Sequence, residues 1–142
     1  MKNSLLCLLA LALAGAACSP SPQKEAELLQ QEVLALHDSA MAQMGTLYSS
    51  RKELAYLRDS AGVGQDSAAR QSLSRGITGL EQSDEAMMQW MRAYRNPEDK
   101  QPQEARAYLQ QEKVKIEKVR DAIAQSLRTA DSLRTQYSNP TK

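Results

Sequence analysis

From Glu25 to Tyr137, apolar side chains return every three, four or seven residues, with breaks only near Gly62 and Gly64 and at Asn96 and Pro97. Residues at those spacings share one face of an α-helix, whereas a half-buried strand alternates every second residue. The chain is thereby constrained to amphipathic helices. Composition agrees, because phenylalanine is absent, β-branched residues are few and no alternating run occurs.

The periodicity predicts three helices. The first runs from 25 to 60, with Leu29, Val33, Leu36, Ala40, Met44, Leu47, Leu54 and Leu57 on its stripe. The second runs from 66 to 95, capped by Asp66, with Leu73, Ile77, Leu80, Asp84, Met87, Met91 and Tyr94. The third runs from 102 to 138, opened by Pro102, with Leu109, Glu112, Ile116, Val119, Ile123, Leu127, Ala130, Leu133 and Tyr137. At 1.5 Å per residue each is roughly 45 to 55 Å long. Short connections make neighbours antiparallel, so the expected fold is all-α: an elongated up-down-up three-helix bundle with coiled-coil-like packing. Gly76 and Gly79, inside the second helix, each cost about 1 kcal/mol relative to alanine and mark either a close approach or a break.

Residues 1–17 read as a secretory signal: Lys2, an apolar run from Leu5 to Leu13, then the small residues Gly15, Ala16 and Ala17 before Cys18. The run is too short to span a bilayer, which takes about 18 or more apolar residues. The small residues resemble a bacterial lipobox, which implies that Cys18 is lipidated and becomes the first mature residue; Gly15 stands where leucine is usual. Ser19 follows the cysteine where a retention signal has aspartate, so the expected location is the outer membrane. Residues 18–24, with SPSPQK after the cysteine, read as an extended tether, and 139–142 as a tail.

Removal of residues 1–17 takes away Cys7 and Lys2, leaving 17 basic against 17 acidic residues. No disulfide or thiolate site remains once Cys18 carries lipid. The charges are interleaved, as in QQEKVKIEKVRD, so there is no basic stripe for nucleic acid. The expected partners are the membrane, through the Cys18 lipid, and either an envelope protein or a second copy.

Three stretches, EVLALHDSAMAQMGTLYSSRKEL (32–54), DEAMMQWMR (84–92) and YLQQEKVKIEKV (108–119), resemble small lipoproteins of Bacteroidota that carry the label viral A-type inclusion protein. The resemblance implies a lipid-anchored helical envelope protein. It supplies no catalytic residues.

One cluster has the residue types of a ligand site. His37, the only histidine, shares a helix face with Met41 and Met44, and the second helix carries Met87, Met88 and Met91 beside Trp90. Folding the chain back near residue 63 brings the two methionine groups within about a turn and a half of each other. Imidazole and thioether ligands suit Cu(I), and a His/Met pair can hold haem iron. Asp38 or Glu112 is placed to orient the imidazole. The competing expectation, with no cofactor, is that methionine fills an irregular core and Trp90 anchors it. Enzymatic chemistry finds no support: His37 has no nucleophile elbow, and the acidic pairs Asp84/Glu85 and Glu98/Asp99 fit solvated faces. Asp84 is the exception, placed on the apolar stripe and so expected at a rim or paired.

Overall fold

The computed structural model describes residues 20–60, 63 and 65–138. The signal segment, Cys18, Gly62, Gly64 and the tail lie outside the described residues. Four helices follow in order: α1 Pro22–Met41, α2 Met44–Asp59, α3 Ser67–Ala93 and α4 Pro102–Ser138. No strand occurs among the described residues. The fold is an all-α helical bundle, with α1 and α2 as one leg, α3 returning beside it and α4 packed against both.

Three boundaries differ from the sequence reading: α3 ends at Ala93, short of the expected 95, with Tyr94 extended as its cap, and two differences fall on the first helix. The expected tether to residue 24 ends early, because Ser21 caps α1 by accepting from the Lys24 N–H and Pro22 occupies the first turn. The expected single helix from 25 to 60 is interrupted at Ala42 and Gln43. There the Gln43 N–H turns to the Ala40 carbonyl at 3.0 Å, a tighter i→i−3 bond. The Gln43 side-chain amide takes up the freed Ser39 carbonyl at 3.4 Å. Both residues keep right-handed helical angles. The core therefore continues unshifted across the interruption, burying Ala26, Val33, Ala40, Leu47 and Leu54 at a strict spacing of seven.

The other starts follow the caps. Asp66 accepts from Ala68 and Ala69 N–H at 2.9 and 3.2 Å, and Pro102 opens α4. Glu25 pairs with Arg106 and Glu32 with Lys113, and both pairs are separated by 81 residues. A constant offset means that α1 and α4 run parallel, as an up-down-up chain requires.

On α3 the seam lies slightly aside from the expected stripe. Gly76, Ser83 and Trp90 are buried with Leu73, Leu80 and Met87, while Asp84 and Met91 flank it half-buried. Asp84 is thus a rim residue. The Ser83 hydroxyl is satisfied inside by the carbonyls of Gly79 at 3.0 Å and Ala122 at 3.3 Å.

The two glycines of α3 have different roles. A Cβ on Gly76 would lie 2.5 Å from Leu133 Cδ1 and 3.0 Å from Leu54 Cδ1, so this glycine permits a close three-way approach. A Cβ on Gly79 would meet nothing within 4 Å. Gly79→Ala is expected to stabilise the bundle by up to about 1 kcal/mol through helix propensity alone. Gly76→Val should destabilise it by about 1 to 3 kcal/mol through overpacking. Thermal melts of the two variants check this, and equal shifts would contradict the close approach.

Candidate functional site

The hairpin register implied by the sequence brings His37 to Trp90, with ring centroids 5.6 Å apart. From there the aromatic contacts continue: Trp90 stacks on Tyr94 at 4.9 Å, and Tyr94 lies 6.2 Å from Tyr108 of α4. The Tyr108 hydroxyl accepts from the Arg95 N–H at 2.8 Å, which ties the α3 terminus to α4. These rings bridge α1, α3 and α4 with side chains, where α1 and α3 lack extensive close backbone approach. Half of the six tryptophan and tyrosine rings of this aromatic-poor chain lie in one layer, with the imidazole beside them.

The six ligand candidates are divided between environments. Met87 is fully buried, Met44 and Met91 pack at the core edge, and Met41 and Met88 are exposed at 38 and 39%. His37 is half-buried, and its Nδ1 lies 2.9 Å from Asp38 Oδ1, the partner named from sequence. If that contact is a hydrogen bond from Nδ1–H, Nε2 is left as the free ring nitrogen. Among the described residues no group of three or more His, Cys, Asp or Glu side chains gathers in a metal-ligating arrangement.

Glu112 occupies the same layer, but it does not orient the imidazole. Only 3% exposed, it pairs through Oε1 with Lys115 Nζ at 2.7 Å, while Oε2 has no partner. Trp90 Nε1 and the Tyr94 hydroxyl are likewise buried without partners. Burial first, then Tyr108 and Glu112, hold the Tyr94 phenol above its ordinary pKa. The sequence brings Glu112 to this end of the bundle as a candidate partner of His37 and Trp90 as an anchor, but that three polar atoms are buried here together was not legible in it.

A second concavity, of about 500 Å³, lies between α2 and α4 over Leu54, Leu127 and Ala130. On its charged rim Arg134 pairs with Asp131 and Arg128 donates to Gln125 at 2.7 Å, while Glu53 lies on the α2 side. The Ser49 hydroxyl donates to the Gly45 carbonyl at 3.0 Å. Compared with known proteins, the chain matches no family model, no curated protein and no solved structure.

The buried polar triple generates two expectations. Tyr94→Phe removes an unmatched hydroxyl, so the variant should melt at the same temperature or higher at neutral pH; a loss above about 1 kcal/mol would reveal a hydroxyl partner. A phenol whose pKa is raised on folding stabilises fully below the unfolded value of about 10, and that contribution is lost as pH climbs through the folded value. The variant should therefore lose less stability than the parent across that alkaline window. Glu112→Leu replaces a buried charge by an apolar side chain and is expected to be neutral or stabilising by about 1 to 4 kcal/mol. Melts from pH 7 to 11 read both effects.

Proposed function

We propose that this chain is a lipid-anchored bacterial envelope protein that acts as a non-enzymatic helical binding or structural module. The anchor rests on the apolar run and small residues before Cys18, and the lipoprotein resemblance gives the same direction. No described helix is long and apolar enough to cross a membrane. The module rests on one observation: the bundle completes its core while leaving large apolar side chains, among them Leu34, Met41, Tyr48 and Met88, exposed on its surface. Exposed apolar groups that the fold does not use are available to a partner.

The anchor is tested by intact mass spectrometry of the membrane fraction. The expected result is a chain that begins at a lipid-modified Cys18, and release or stalled processing in Cys18→Ser. A water-soluble mature chain with an unmodified amino terminus overturns it.

A second reading uses the half-exposed imidazole beside Trp90, with Met41 one turn away, as a Cu(I) site; haem is the weaker alternative. A competition titration against a Cu(I) chelator, with a parallel haem absorbance titration, decides between ligand and packing. A Cu(I) site predicts stoichiometric binding, a higher melting temperature and its loss in His37→Gln with Met41→Leu. Packing predicts no competition, and Met→Leu costs below about 1.5 kcal/mol each.

A further inference from the structure

We infer that the outer face of α1 and α2 is a self-association surface on which a second copy docks antiparallel, the pair centred on Gly45. This deepens the binding-module reading, on which it rests, by naming the partner. Gly45 provides the first observation. It stands in the opening turn of α2, its φ is not positive, and a Cβ there would meet nothing within 4 Å. Nothing inside the bundle requires a glycine at this position. Close approach of a neighbouring backbone does require one.

The surrounding pattern supplies the occupant. The core row at 33, 40, 47 and 54 faces inward across the Ala42–Gln43 interruption, so Asp38, Gly45 and Lys52 fall on the opposite side, and all three are exposed. Leu34, Met41 and Tyr48 run along one edge of that face, again seven apart and exposed. Rotation by 180° about a line through Gly45 and perpendicular to the helix sends each residue to the level of the one equally far beyond Gly45. Asp38 then meets Lys52 of the second copy, twice by symmetry. Met41 comes within one residue, about 1.5 Å, of the level of Tyr48 on the same edge, a thioether against a ring, and Leu34 comes equally near the level of the small Ala55.

The charge distribution selects this direction. On the outer face Asp38 lies seven residues before Gly45 and Lys52 seven after it, whereas Glu25 and Glu32 are taken up by Arg106 and Lys113 of α4. Asp38 thus meets Lys52 only when two copies run antiparallel; a parallel pair would set Asp38 on Asp38 and Lys52 on Lys52. Arg51 and Lys52 already sit over the Tyr48 ring, at 5.4 and 5.6 Å, and so place positive charge at the edge that the partner's Asp38 reaches. From Leu34 to Ala55 the contact is about 30 Å long and one helix face wide. That is small beside the roughly 800 Å² per partner of a standard interface, so the pairing is weak and reversible.

The test is sedimentation velocity on the chain from Ser19 onward, which carries every buried core residue from Ala26 to Ala130, between about 10 μM and about 1 mM, where a weak complex of this kind populates. The expected result is a concentration-dependent monomer–dimer equilibrium that weakens with added salt. Asp38→Lys and Lys52→Asp should each weaken it tenfold or more, and the double swap should restore it. Gly45→Arg should abolish it while circular dichroism and melting temperature stay near the parent. A monomer throughout the range overturns the inference, as does a dimer indifferent to both charge reversals, the signature of a parallel or unrelated interface. Either failure leaves the anchored-module reading standing, because that reading is decided by the Cys18 mass and by the ligand titrations.

Discussion

α4 buries one continuous row, from Ala105 through Leu109, Ile116 and Ile123 to Ala130, against two legs that have no other complete partner. A single amphipathic helix of this length gains little from its own hydrogen bonds and is held by the burial of its apolar face. Full burial of a leucine or isoleucine contributes roughly 1.5 to 3 kcal/mol, and the fully buried set includes Leu47, Leu54, Leu73, Leu80, Leu109, Ile116 and Ile123. These side chains come from all three legs. Loss of the α4 row would therefore expose the other two rows together.

Within that frame the bundle is built differently at its two ends. Near Gly76 the absence of a side chain lets α3 approach Leu54 and Leu133 closely, with Ala69 and Ser83 as further small residues on the same row. Near Trp90 the row changes to large aromatic side chains, and His37, Trp90, Tyr94 and Tyr108 occupy the space between helices. The second arrangement strands polar atoms: Trp90 Nε1, the Tyr94 hydroxyl and Glu112 Oε2 are buried without partners. An unmatched buried polar group is costly, which makes this layer the least economical part of the core and the place where its chemistry is concentrated.

The surface charges contribute registration more than stability. Arg58 with Asp59 and Arg120 with Asp121 pair neighbours along one helix at the surface, where solvent screens the attraction, so they contribute little to stability. The pairs Glu25–Arg106 and Glu32–Lys113 differ, because they cross between α1 and α4 at one constant offset. A helix slipped by one turn would break both together. They help to hold parallel legs in register even where each bond alone is weak.

Much of the fold was legible in the sequence because helical periodicity and caps are local: Asp66, Pro102 and the breaker at Asn96 and Pro97 mark their boundaries without reference to distant residues. The opposition of His37 and Trp90 was legible too, since a short antiparallel connection sets which residues share a level. Other features depended on tertiary structure. The interruption at Ala42 and Gln43 leaves the seven-residue spacing intact, so periodicity carries no trace of it. The choice of Gly76 over Gly79 as the close approach depends on where Leu54 and Leu133 arrive from other helices. The separation of buried Met87 from exposed Met41 and Met88 depends on the rotation of each helix about its axis, which only packing against the other legs determines.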